Sequence, residues 1–148
     1  MDLIDKQIID ILQDDGRSSN AAIARDVGVS EGTVRRRLKK LIDGDYIKVI
    51  AITEPAKMGM LSEGLVGIQT DLDMIDSVAD ELTKIDEINW VTVTTGAFDI
   101  FVWATLQSAE ALGVFLRTRI ATIPGVTRTE TFVNLSVRKR GHGVATPP

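Results

Sequence analysis

Apolar positions follow two rhythms along the chain, and the rhythm changes near Gly44. Before it, Leu3, Ile4, Ile8, Ile9, Ile11 and Leu12 recur at helical spacing behind Asp2, a candidate N-cap, and Gly16 stops the run. A shorter helix fits Asn20 to Val27, with Ser18 or Ser19 as cap and Ala21, Ile23, Ala24 and Val27 free for burial. Gly28 punctuates. Ser30 then caps a third helix expected to run to about Asp43, with Gly44 as its C-terminal stop.

Beyond Gly44, Tyr46 to Ile52 is rich in β-branched residues and predicts a strand, and Glu54-Pro55-Ala56-Lys57-Met58-Gly59 reads as a linker. Strand and helix then alternate. Strands are expected over Gly64 to Asp71, Ile88 to Thr95, Asp99 to Thr105 and Thr127 to Val137. Helices are marked by Ile75, Val78, Leu82 and Ile85, and by Leu112, Phe115, Leu116 and Ile120. The order βαββαβ predicts a ferredoxin-like sandwich, one antiparallel sheet with two helices on one face. The fold class is therefore α+β.

Composition removes whole classes of chemistry. The 148 residues are 44% hydrophobic and 26% charged, the balance of a globular protein. There is no Cys, and the only histidine, His142, lies in a Gly-His-Gly stretch, so a disulfide frame, a thiolate nucleophile, a His-based triad and a multi-His metal site are all disfavoured. No apolar run reaches the roughly 18–20 residues that span a bilayer, and the charged, amphipathic start is unlike a signal peptide. No phosphate loop or nucleophile–base pair is visible. The expectation is a cytoplasmic non-enzyme that needs no cofactor and no membrane.

The net charge of −4 argues against a nucleic-acid binder until its distribution is considered. Residues 1–60 carry ten basic and ten acidic residues, whereas 61–148 carry seven and eleven. Half of the basic residues in the first part fall within Arg35-Arg36-Arg37-Leu38-Lys39-Lys40. An acidic body with one short basic segment limits non-specific adhesion to DNA yet keeps a local attachment site.

Residues Asn20 to Lys40 have the layout of a helix-turn-helix. Two short helices crossing steeply need a small residue at the contact, Ala24, and a residue tolerant of positive φ in the turn, Gly28. Val34 fixes the second helix to the core, with Ile23 and Leu38 completing the inward set. Wound at 100° per residue, Val34, Leu38, Leu41 and Ile42 gather on one face. Gly32, Thr33, Arg36, Lys39 and Lys40 fall opposite, with Arg35 and Arg37 on the shoulders. Such a helix suits the major groove of double-stranded DNA, with Arg36 donating to guanine and Arg37, Lys39 and Lys40 to phosphates. The candidate DNA-binding set is Ser19, Asn20, Ser30, Glu31, Gly32, Thr33, Arg35, Arg36, Arg37, Lys39 and Lys40. The competing reading is a merely solvated basic face.

The run Ile23-Ala24-Arg25-Asp26-Val27-Gly28-Val29-Ser30-Glu31-Gly32-Thr33-Val34-Arg35-Arg36-Arg37-Leu38, with Leu41 to Ile47 after it, resembles the helix-turn-helix of the Lrp/AsnC (feast/famine) regulators. Thr95-Gly96-Ala97-Phe98-Asp99, Ile123-Pro124-Gly125-Val126 and Thr127-Arg128-Thr129-Glu130-Thr131 also match that family, and the resemblance covers roughly residues 2–140. The expected map is a winged-helix-like DNA-binding domain with a hinge strand over 1–52 and a linker over 53–61. A ferredoxin-like ligand-binding and oligomerisation domain follows over 62–140, and a flexible tail over 141–148.

The resemblance implies a homodimer that assembles further, to a tetramer or octamer, with an amino acid or related metabolite bound between dimers. A zwitterion needs an anion for its ammonium and N–H donors for its carboxylate. Asp99 and the backbone of Gly96, Ala97 and Phe98 offer these, and Thr129 and Thr131 of a neighbouring subunit are the further effector-binding candidates. The alternative at Gly96 to Asp99 is an ordinary hairpin turn. At the level of the whole chain, the alternative to an effector-responsive regulator is an architectural DNA-organising protein.

Overall fold

The computed structural model describes residues 1–140, which form two compact units, 1–52 and 53–140. The first is helical: α1 (Leu3–Asp14), α2 (Asn20–Val27) and α3 (Glu31–Asp43). Local sequence sets where each begins. Asp2, Ser19 and Ser30 each turn a side-chain oxygen onto a backbone N–H of the first turn, satisfying donors the helix cannot. Gly28 closes α2 in the left-handed region at φ 77°, where it also accepts no steric penalty. Ile8, Ile23 and Val34 are fully buried and, with Ile9, Ala24 and Leu41, form the core of this unit.

Two local expectations change. Gly44 does end α3, but it keeps a negative φ, and Asp45 takes the left-handed conformation at φ 55°. Gly44 relieves crowding, since a Cβ there would sit 3.0 Å from the Lys40 carbonyl oxygen and 3.1 Å from the exposed Tyr46 ring. Ile42, expected on the inward face, is exposed.

The strand expected over Tyr46 to Ile52 is not formed. Among the described residues the segment carries no ladder hydrogen bonds, and Tyr46, Val49, Ile50 and Ile52 are exposed. A strand is defined by pairing, and no described residue of this single chain pairs with the segment.

In the second unit, part of the expected linker folds as a 3-10 turn, Pro55–Met58. The elements β1 (Ser62–Thr70), α4 (Ile75–Leu82), β2 (Ile88–Val93), β3 (Ile100–Leu106), α5 (Ala109–Phe115) and β4 (Val126–Val133) follow in βαββαβ order. A single π-turn, Leu116–Ile120, extends α5. The sheet is antiparallel throughout, in the order β2-β3-β1-β4. β4 stops at Val133, four residues short of expectation, because Val133 pairs with Gly64 near the start of β1, and Leu135 beyond it is almost wholly exposed.

Alternation gives the sheet two unlike faces. Val66, Ile68, Ile100, Val102 and Ala104 point toward the helices and pack on Val78, Leu82, Leu112, Phe115 and Ile120. The opposite face carries Leu65, Phe101, Trp103, Trp90 and Phe132, as the register Leu65↔Trp103, Leu65↔Phe132 and Trp90↔Trp103 requires. Trp90 and Phe132 remain about half exposed there.

Candidate nucleic-acid interface and effector site

In the helical unit, α3 stands with one face sealed and the other free. Val34 and Leu41 are buried, while Glu31, Gly32, Arg35, Arg36, Lys39 and Lys40 are exposed. At its start the Ser30 hydroxyl accepts the Thr33 N–H at 3.2 Å and shares a hydrogen bond with the Thr33 hydroxyl at 2.9 Å. Ser19 likewise caps α2 through the Ala22 N–H, beside half-buried Asn20. Among the described residues Arg35, Arg36 and Lys40 hold no ion-pair partner, so their charge is available. Lys39 bonds Asp43 at 2.7 Å one turn away; the pair is exposed and contributes little.

Arg37 departs from expectation. Its Nη1 donates to Asp2 Oδ2 at 2.6 Å and to Asp5 Oδ1 at 2.9 Å, and its side chain is only 24% exposed. The phosphate contact expected of it is therefore corrected to an ion pair across the helical unit. Asp2 and Asp5 also form a reciprocal capping box, each carboxylate accepting the other's backbone N–H. The Asp5 N–H, and then Arg37, hold the Asp2 carboxyl below its ordinary value. For Asp5 burial works the other way and is outweighed by the Asp2 N–H and Arg37. Asp2 was legible only as a helix cap; Arg37 lies 35 residues from it and 32 from Asp5.

In the sheet unit, the Gly96–Asp99 segment links β2 to β3 and is held at several points. The Gln69 side-chain N–H donates to the Ala97 carbonyl at 2.7 Å, the Thr94 hydroxyl to the Phe98 carbonyl at 2.8 Å, and the Thr70 N–H to Asp99 Oδ2 at 2.9 Å. Gly96 adopts φ 110°, which favours glycine. One Asp99 oxygen is thus already engaged in fixing the end of β1, a structural duty that sequence spacing does not reveal.

Phe98 folds over the open face, against Gly67 and edge-on to Phe101 with ring centroids 5.4 Å apart. Thr129 and Thr131 are half-buried on the helix-covered face, since they pair with Ile68 and Val66. One chain therefore does not bring Phe98 and the two threonines together. A groove of about 650 Å³ opens elsewhere, beside α5, with Leu106 and Phe115 in its wall and Glu87 and Arg119 among its polar residues. None of the six expected effector residues lines it.

Comparison with known proteins bears on both units. Residues 1–42 match the AsnC-type helix-turn-helix domain, and residues 63–144 match the Lrp/AsnC ligand-binding domain. An uncharacterized HTH-type transcriptional regulator of Pyrococcus furiosus is 36% identical over 96% of this chain and 97% of its own. The structure of Escherichia coli AsnC superposes with a TM-score of 0.89 at 27% identity, covering 96% of this chain and 97% of that one. A Neisseria meningitidis transcriptional regulator in complex with L-methionine has the same fold, with a TM-score of 0.89 at 23% identity over 99% and 96% of the two chains. With both halves matched in order, and a relative this similar along nearly all its length, the chain belongs to the Lrp/AsnC family of transcriptional regulators.

Proposed function

We propose that this regulator, a DNA-binding protein and not an enzyme, reads specific sequences with α3 and answers to an amino acid or a closely related metabolite. The observation that carries the DNA half is the division of α3 into a sealed face and a free one. Gly32 and Thr33 at its first turn leave room for close approach to base edges, and Arg36 is exposed with its fork free to bond guanine O6 and N7. Arg35, Lys39 and Lys40 contact phosphates, which position the helix without reading sequence. Glu31 can only accept, so its suitable partner is a base amine.

Self-association supports the effector half. The open sheet face exposes Trp90 and Phe132 beside Leu65, Phe101 and Trp103, an apolar aromatic surface suited to a second copy. Phe98 and the Thr129–Thr131 pair lie on opposite faces of one sheet, so a site using both requires residues from two subunits. Within it the Gly96–Phe98 backbone supplies N–H donors and the remaining valence of Asp99 receives an ammonium. The L-methionine held by the Neisseria protein fits this class of ligand.

Selection of duplexes from a random pool by the full chain, followed by titration with single amino acids, tests both halves. A recovered consensus whose affinity shifts with one amino acid is expected. Recovery of no consensus, with no response to any amino acid, would favour an architectural role instead. Arg36→Ala is expected to cost about 1–3 kcal/mol on the consensus and to relax selection at one base position.

A further inference from the structure

Arg37 is the one cation of the Arg35–Lys40 run whose guanidinium is drawn back into the helical unit, and the way it is held is specific. The two acids use all four carboxylate oxygens. Asp2 Oδ1 accepts the Asp5 N–H, Asp5 Oδ2 accepts the Asp2 N–H, and the remaining oxygen of each accepts Arg37 Nη1. The capping box thus fixes both carboxylates before Arg37 arrives, so little side-chain freedom is lost in forming the pair. Arg37 reaches both acids through one nitrogen and leaves its Nε buried without a partner. The group of three carries a net charge of −1 beside the basic helix.

We infer that Asp2 and Asp5 set the specificity of DNA binding by withholding Arg37 from phosphates, an inference that rests on α3 being the helix that enters DNA. A phosphate competing for this guanidinium has to displace two preorganised carboxylates. Each phosphate neutralised by a cation adds to affinity for any sequence and steepens its dependence on salt by about 0.9 in the log–log slope. Retaining Arg37 removes one such sequence-blind contact while Arg36, its neighbour, stays free for bases. The acidic pair therefore lowers background attachment more than it lowers recognition.

The test is a cycle on the full chain, read by fluorescence anisotropy on a random-sequence duplex across a salt series. The variants are Asp2→Asn/Asp5→Asn, Arg37→Gln, and the three changes combined. Asparagine keeps the capping acceptors, and a far-UV melt confirms that each variant is folded. Removing Arg37 is expected to change nothing in the native background. In the Asp2→Asn/Asp5→Asn background it is expected to weaken binding about five- to tenfold near 0.1 M salt and to flatten the slope by about 0.9. Equal effects of Arg37→Gln in both backgrounds would overturn the inference: if both are nil, the cluster is only a staple, and if both are losses, Arg37 already meets phosphate. If the acidic variant does not fold, Asp2→Asn alone takes its place in the cycle: a larger loss on Arg37→Gln in that background than in the native one supports the inference, and equal effects overturn it. Failure of every folded variant, native chain included, to bind duplex at low salt would instead remove the DNA-entering role of α3.

Discussion

The ring of Phe98 lies so close over Gly67 that a Cβ at position 67 would come within 2.7 Å of it. Gly67 faces the open side of the sheet between Leu65 and Gln69, and its missing side chain makes the hollow that Phe98 fills. Gly67→Ala is expected to displace the ring and destabilise the sheet unit by about 1–3 kcal/mol. The same substitution in a Phe98→Ala background should cost much less. Thermal melts followed by tryptophan fluorescence measure both, because Trp90 and Trp103 lie in this sheet. Equal costs in the two backgrounds would show that the contact is not the cause.

Asp99 fixes the end of β1 and is the proposed acceptor of the effector's ammonium, and two substitutions separate the roles. Asp99→Ala leaves the Thr70 N–H without its acceptor and is expected to cost about 1–3 kcal/mol of stability. Asp99→Asn keeps an acceptor oxygen and removes only the charge. It should therefore melt near the native temperature yet lose the thermal stabilisation given by an amino-acid effector. An Asp99→Asn variant that still responds would place the ammonium elsewhere.

The aromatic face makes a prediction about assembly. Phe132→Glu places a charge where an apolar surface is exposed in the single chain. It is expected to leave secondary structure unchanged while shifting sedimentation velocity toward smaller species. Retention of the native distribution would mean that copies meet through another surface.

Acid stability follows from the Asp2–Asp5–Arg37 cluster. Both carboxyls are held below the ordinary value of 3.8 in the folded chain. Their contribution is therefore complete above the unfolded carboxylate value, about 3.9, and is lost as pH falls through the lower folded values. The helical far-UV signal of the native chain should lose melting temperature below about pH 4 more steeply than that of the Asp2→Asn/Asp5→Asn variant. Parallel curves would mean that the pair adds no pH-dependent stability.

How much of this could be seen in the sequence depended on distance along the chain. The span of α3 follows from Ser30, the inward spacing of Val34, Leu38 and Leu41, and Gly44, all within fifteen residues, and the helix lies where those signals put it. The βαββαβ order was legible because each element carries its own period. The role of Arg37 was not, because nothing near position 37 announces that Asp2 and Asp5 will be beside it. Asp99 was recognised as an anion, but its bond to Thr70 depends on how β1 and β3 lie together. The Tyr46 to Ile52 stretch has strand composition without a strand, since composition cannot supply a neighbour.

The separation of contacts in sequence also sets an order of events as the chain is made. The helical unit is built from three helices consecutive in the chain, each packed on the other two, and its buried core residues have all been synthesised by Leu41. The sheet is different, because β1 lies between β3 and β4, and its partner on one side, Val126–Val133, is made more than fifty residues later. Local contacts close quickly and distant ones slowly. On the ribosome the core of the helical unit is therefore complete while β1 still waits with one flank bare, and a chain cut short before Val126 would keep that flank open for pairing with other molecules.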